Sequence, residues 1–188
     1  MAHATYSSNP FTAPEGSEII GLAVRANFTN LVPEVWNPIL EKYDLKESDI
    51  DDNAWYPYQL ALDLTREVAM QQGGTSALVA NGKSLAQSLN TDEIKDVEEF
   101  LTVWMERIVK SALRNIPDDM GYVITKLGDK HFRVASNMPA DNDTIYGYMW
   151  ESCRRLMKEN EIFTVRPVSG YPGNKESAVF EVTWGSRK

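Results

Sequence analysis

Cysteine and histidine are nearly missing from this chain: one cysteine, Cys153, and two histidines, His3 and His131, among 188 residues. A single thiol excludes an internal disulfide framework and any multi-thiolate metal site. Two histidines exclude a three-histidine zinc centre. No apolar run approaches the roughly 18 residues of a membrane span, and no signal-peptide pattern opens the chain. Basic charge is also scarce. Nineteen Lys and Arg stand against 27 Asp and Glu, a net charge of −8 with a pI near 4.8, and no basic stripe is present. That balance excludes the electrostatic footprint of a nucleic-acid binder. The patterns Asn27-Phe28-Thr29 and Asn142-Asp143-Thr144 match a glycosylation acceptor but carry no weight without a secretory signal. The expectation is a cytoplasmic protein with no nucleic-acid partner and no membrane insertion.

What is present is enough apolar residue, 43 %, to build one core in a chain of this length. Residues 1–17 are polar and punctuated by Pro10, Pro14 and Gly16, and read as a flexible tail. Residues 18–186 read as a single domain. Its central stretch is 91–115, TDEIKDVEEFLTVWMERIVKSALRN, which reads as one long helix. Thr91 is the candidate N-cap, with Asp92 and Glu93 favouring the helix dipole. Ile94, Val97, Leu101, Trp104, Ile108 and Ala112 recur at spacings of three and four and make one apolar face. Lys95, Glu99, Thr102, Glu106, Lys110 and Arg114 run down the other side. Pro117 lies just beyond the end.

The remaining elements fall on either side of this helix. The stretch 18–31 reads as a helix in preference to a short strand. Pro33 opens a helix at a favoured first position, and an acidic loop, KESDIDDNAW, follows it. Pro57 opens another helix, which Gly73-Gly74 ends. Thr75 or Ser76 caps the next. After Pro117 the pattern becomes alternating. Residues 122–126 and Phe132, Val134 and Ser136 make a hairpin about the turn 127–130. Asp141 to Asp143 cap a helix carrying Ile145, Met149, Cys153 and Leu156, with Glu151, Arg154, Arg155 and Lys158 outward. Residues 162–168 form a strand, the loop SGYPGNKE follows, and Ala178, Phe180, Val182 and Trp184 share a face of the last strand. The fold class is α+β, a helical N-terminal half packed on a four-stranded antiparallel sheet with an inserted helix.

Three patterns imitate chemistry. Residues 77–84, ALVANGKS, fit a loose phosphate loop, but that loop needs a strand before it, and here a helix precedes it. Asp49-Ile50-Asp51-Asp52-Asn53 begins like a calcium loop. The sixth position should be glycine and is Ala54, and the twelfth should be glutamate and is Leu60. Cys153, on the apolar face of a helix, reads as a small hydrophobe, since a reactive thiolate needs an accessible, electropositive setting. His131 reads as an exposed strand histidine. No metal site follows, and no acid–base or nucleophile constellation marks an enzyme.

The order of these elements, with several local strings, resembles the haem-nitric-oxide/oxygen-binding (H-NOX) domain family over about residues 18–184. The strings are PEVWNPILEKYDL, like the family's early W-x-x-I-L-x-x-x-G-L helix; YPYQLALDLTREVA; LVANGKSLAQSL; and EEFLTVWMERIVKSALRNIP, like its FL-x-x-L-D-x-x-H helix. The resemblance implies a ligand-binding fold, shared with 4-vinyl-reductase-type domains and a vesicle-tethering subunit family. It does not carry over the haem chemistry. The family's haem-ligating histidine lies seven residues after the leucine of the FL pair, which from Leu101 is Ile108. The family's Y-x-S-x-R motif, which grips the haem propionates, meets Val134-Ala135-Ser136-Asn137-Met138, where only the serine remains. An isoleucine has no lone pair for iron.

The function expected from this is a haem-free sensory or regulatory module that binds a small apolar molecule or a signalling partner protein. Phe100, Trp104, Met105, Ile108, Val134, Met138 and Met149 are the ligand-pocket candidates. The competing structural reading is that such side chains simply fill the core. A haem-based sensor of diatomic gas with a non-standard ligand, Cys153 or a tyrosine of the Tyr146-Gly147-Tyr148 segment, is the alternative. A 4-vinyl-reductase-like enzyme is the second alternative and rests on fold analogy alone.

Overall fold

The computed structural model describes residues 11–29, 31–72, 74–169 and 178–186. The first ten residues of the expected tail, Gly73 and most of the expected loop SGYPGNKE lie outside the described residues. Residues 11–17 run beside the third helix, where Gln59 accepts a hydrogen bond from the Ala13 amide at 2.9 Å and donates one to the Phe11 carbonyl at 3.1 Å.

In chain order the elements are β1 (Glu18–Ile20), α1 (Gly21–Arg25), α2 (Pro33–Glu41), β2 (Trp55–Pro57), α3 (Tyr58–Gln72) and α4 (Thr75–Ser88). Then come α5 (Val97–Glu99), a π turn (Phe100–Trp104) and α6 (Met105–Ala112), which form one continuous helix. β3 (Leu113–Arg114), β4 (Tyr122–Gly128), β5 (His131–Ser136), α7 (Asn142–Leu156), β6 (Glu161–Ser169) and β7 (Ala178–Ser186) complete the order. The expected four-stranded antiparallel sheet is present in the order β4-β5-β7-β6. Its inward positions carry Phe132 and Val134 on β5, opposite Val182 and Phe180 on β7.

A second sheet, β2-β1-β3, was not expected. It corrects the start of the helical reading of residues 18–31: Glu18–Ile20 is a strand, paired antiparallel to Trp55–Pro57 on one side and Leu113–Arg114 on the other, and only Gly21–Arg25 of that stretch is α-helical. These strands are too short to show alternation, and Pro57 closes β2 instead of opening α3. Arg114 and Glu18 face each other in the register and join through their side chains at 2.5 Å.

The hydrophobic interior has two parts. The first core lies between the α5–α6 helix, α7 and the four-stranded sheet, with Phe100, Met105, Phe132, Met149 and Phe180 at its centre. The second lies among α1, α2 and α3, around Trp36, Ile39, Leu40 and Leu64. Between them a small polar node ties the N-terminal half together. The Asn27 side-chain carbonyl accepts from Thr65 at 2.7 Å and from Asn81 at 2.8 Å.

α7 is the most enclosed helix, buried at Asp143–Ile145, Gly147–Met149 and Glu151–Cys153. Asp141 caps it, as expected, by accepting from the Asp143 amide. The expectation of an outward Glu151 is corrected: Glu151 is 2 % exposed. A helix with one dry face leaves its glutamates in water, but α7 is pressed against the sheet on one side and α4 on the other. Glu151 is neutralised locally by a two-pronged contact from Arg154 at 2.6 and 2.7 Å and a bond from Gln87 of α4 at 3.2 Å. The Arg154 hydrogen bonds hold its carboxyl below the usual glutamate range. Arg155 likewise turns to α4, donating to the carbonyls of Ala86 and Leu89 at its C-terminus, where a cation opposes the helix dipole.

The α4–α7 contact is so close that only glycine fits at two points. A Cβ on Gly82 would lie 2.0 Å from the Thr144 carbonyl oxygen, and one on Gly147 would lie 2.2 Å from the Val79 carbonyl oxygen. Both obstacles are backbone, so neither yields by a rotamer change. Gly82→Ala and Gly147→Ala are each expected to destabilise the protein by ~1–3 kcal/mol or more through forced helix separation. Gly185→Ala, with open space around its Cβ, is expected to cost less than either. Urea unfolding midpoints of the three variants and the parent check this.

Candidate functional site

The helix expected over 91–115 begins at Val97 and ends at Ala112. Asp96, not Thr91, is the N-cap, accepting from the Glu99 amide at 3.0 Å. Thr91 instead stands in a turn, its hydroxyl receiving Arg155 at 3.1 Å. The more consequential difference is the π turn. It winds Phe100–Trp104 with i→i+5 bonding and inserts one residue into the helical phase. Before it, Val97 and Leu101 are buried as expected. After it, the buried positions are Met105, Val109 and Leu113, where the 3.6-residue period expects Trp104, Ile108 and Ala112. The dry face is displaced by one residue, and Trp104 and Ile108 become partly buried flanks of the first core. The helix then leaves that core, since Val109 and Leu113 belong to the second.

The structure brings six of the seven pocket candidates to the first core. Phe100, Met105, Val134 and Met149 are at most 1 % exposed there, and Trp104 and Ile108 pack on its side. Met138 departs from them and packs against the second core. Two residues that periodicity did not single out belong to this place. The Tyr148 ring lies 6.1 Å from that of Phe100, centroid to centroid. Tyr122 touches both cores and so sits at their seam. Tyr122 opens β4, where an alternating pattern marks only an inward side chain. Tyr148 is one of three aromatics crowded into residues 146–150.

Among the described residues, the first core and its flank hold a few buried donors without partners, including a phenol and an indole. The Tyr148 hydroxyl and the Trp104 indole N–H are both buried without a hydrogen-bond partner among the described residues. Burial holds the Tyr148 phenol well above its ordinary pKa, with the neighbouring Tyr122 adding to the effect. Burial raises the Tyr122 and Tyr58 phenols as well. All three are neutral donors at physiological pH.

These residues do not fit a haem. Ile108 is hydrocarbon, and the one-residue displacement offers Val109 in its stead, which has no lone pair either. Thioether sulfurs are near, in Met105 and Met149, but methionine serves haem iron beside a histidine. His131 is half-buried at 3.5 Å from Glu181, on the face of β5 opposite the buried Phe132 and Val134. The Cys153 thiol is fully buried and pushed up to about 12 by desolvation, so no thiolate forms at neutral pH. At the positions of the propionate-gripping motif, Val134 points into the first core while Met138 packs on the second, and neither carries charge. Among the described residues, no cluster of His, Cys, Asp and Glu is arranged to hold a metal ion.

The patterns that imitate chemistry have structural explanations. The glycine of ALVANGKS is Gly82, at the α4–α7 contact, and the whole string is helical. Lys83 lies over the Trp150 ring at 4.3 Å. The acidic loop is tied by Arg25, which bonds Asp52 at 2.6 Å and also reaches the Ile50 carbonyl.

No protein-family model matches the chain, and no curated protein sequence does. Solved structures do match. A mutant H-NOX protein from S. oneidensis in the Fe(II) ligation state superposes with a TM-score of 0.68 at 13 % identity, covering 90 % of this chain and 98 % of that one. An oxygen-binding H-NOX domain related to soluble guanylate cyclases gives 0.64 at 10 % identity, covering 87 % and 92 %. The IWP-051-bound H-NOX from Shewanella woodyi gives 0.60 at 16 % identity, covering 87 % and 93 %. The chain has the H-NOX fold, present almost end to end.

The placement of the dry face has a direct consequence for stability. Phe100 is 0 % exposed, so Phe100→Ala is expected to cost ~3–5 kcal/mol. Trp104→Ala is expected to cost less, because the π turn moves Trp104 to the flank. Chemical denaturation of both, with exposed Lys110→Ala as the reference, checks the order. A larger loss for Trp104→Ala than for Phe100→Ala would restore the unshifted face.

Proposed function

We propose that this chain, which has the fold of the H-NOX domains, is a cytoplasmic, haem-free sensory or regulatory module that binds a small apolar molecule or a signalling partner protein. The observation that carries the reading is the hydrocarbon at position 108, with Val109 beside it, where haem iron needs a lone pair. Val134 and Met138 support it, since haem propionates would find no guanidinium fork there. The buried, neutral Cys153 and Tyr148 speak against a substitute axial ligand, which must bind as thiolate or phenolate. The same neutrality speaks against an enzyme that uses either group as a nucleophile.

The unpartnered Trp104 N–H and Tyr148 O–H support a small ligand. Each leaves about 1–3 kcal/mol of desolvation uncompensated, which a bound acceptor or an ordered water recovers. A compact apolar molecule with one acceptor atom would satisfy either donor.

The purified protein is expected to be colourless and to give no sharp Soret band when titrated with haemin. Ile108→His is expected to bind haem poorly as well, because the propionates still lack partners. Visible absorbance titrations of the two proteins test this. Tight one-to-one uptake by the unmodified protein would overturn the haem-free reading. If Cys153→Ala or Tyr146→Phe then abolished that uptake, the gas-sensor reading with a non-standard ligand would replace it.

A further inference from the structure

The C-terminal turn of α7 and the first residues of β6 enclose a surface groove of about 380 Å³. Its apolar part is formed by Met157, Phe163 and Ile162, the last of these 52 % exposed. Trp150 continues the apolar surface, its ring 5.6 Å from that of Phe163. Arg154, Lys158 and Glu161 line the groove, and Lys83 covers Trp150. With Lys130 these side chains make four cations against the carboxylates of Glu151, Glu159 and Glu161. The carboxylates nearby are engaged: Glu151 with Arg154 and Gln87, and Glu161 with Lys130 at 2.6 Å. Lys83 and Lys158 have no carboxylate within salt-bridge distance among the described residues. In a chain of net charge −8, a basic rim around an exposed apolar floor is a local reversal of the protein's charge.

We propose that this groove is a docking site for an acidic peptide segment of a partner protein, which places one apolar side chain against Ile162 and Phe163 and its carboxylates against Lys83 and Lys158. The inference names the face and the chemistry for the partner-protein half of the reading above and rests on that half. Charge complementarity selects the occupant. Lys83 and Lys158 act on Glu151 and Glu161 only from beyond ion-pair distance, so an external carboxylate can approach either lysine more closely than the protein's own do. An anionic membrane is the poorer match. Glu159 is exposed on the turn between Lys158 and Glu161, and a plane of headgroups would press against it and against the acidic remainder of the protein.

The test uses the full chain, labelled with nitrogen-15 and titrated with a synthetic peptide, acetyl-Asp-Glu-Asp-Leu-Phe-Asp-Glu-amide. Shifts are expected at the Trp150 indole and at the amides of Lys158, Ile162 and Phe163. The double substitution Lys83→Glu with Lys158→Glu is expected to weaken binding about tenfold or more, about 1.4 kcal/mol per factor of ten. Raising the salt is expected to weaken it further. Ile162→Ser, an exposed change that leaves both lysines in place, is expected to weaken binding without altering the salt dependence. A peptide with lysine in place of its acidic residues is expected not to bind. Absence of shifts at these residues at millimolar peptide, or equal binding by the double variant, would overturn the proposal. So would co-sedimentation with phosphatidylglycerol vesicles together with indifference to the peptide, which would assign the groove to a membrane. A Soret band on haemin addition would sink the haem-free reading and leave this result untouched, so the two fail separately.

Discussion

The backbone contact between α4 and α7 is the constraint on which the rest of the structure depends. Two glycines, Gly82 and Gly147, let each helix reach the other's carbonyls, and no larger residue fits at either place. With the axes held this close, α7 fills the space between α4 and the four-stranded sheet. Its two long sides therefore both face protein, and its charged residues find partners inside, while the Tyr148 hydroxyl does not. Glu151 takes Arg154 and Gln87, and Arg155 takes the end of α4. Truncating Arg154 or Gln87 would leave part of a buried carboxylate unmatched, which costs more than the pair contributes when intact.

The same enclosure bears on chemistry. Tyr148 is carried on the α4-facing part of α7 and meets Phe100 at the π turn of the facing helix. A π turn is a local strain on helical hydrogen bonding, and such turns recur at functional positions. Here it sets which side chains reach the core. Met105 enters, Trp104 and Ile108 move to the flank, and the helix crosses from one core to the other at Val109. The resulting interior is rich in thioether, aromatic and aliphatic surface and holds a few neutral donors.

Much of this architecture was legible in the chain. Alternation at residues 122–136 and 178–184 marks the large sheet, Asp141 marks the start of α7, and Pro33 marks the start of α2. The order of elements pointed to the fold that the solved H-NOX structures share. What was not legible has physical causes. β1, β2 and β3 are two or three residues long, below the length at which a period of two can be seen. Glu151 reads as outward because hydropathy patterns assume one dry face, and α7 has two. The π turn leaves no trace in hydropathy, so the face of the α5–α6 helix was displaced by one residue from Trp104 onward. Of the candidate site, Val134 and Met149 lie on the strand and helix faces that spacing marks, whereas Phe100 and Met105 stand beside the face that spacing marks on the α5–α6 helix. Tyr122 and Tyr148 were not legible, since a buried tyrosine and an exposed one look alike in sequence. The glycines of α4 and α7 were the missed signal: a glycine within a helical window costs stability unless close approach requires it.

The α4–α7 pair, and not the helix from Val97 to Ala112, is the element around which the domain is organised. Native-state amide hydrogen exchange measures this directly, because amides that open only on global unfolding report the most protected unit. The amides of residues 78–86 and 145–153 are expected to exchange most slowly and at one common free energy. Faster exchange there than in Met105–Ala112 would contradict that organisation.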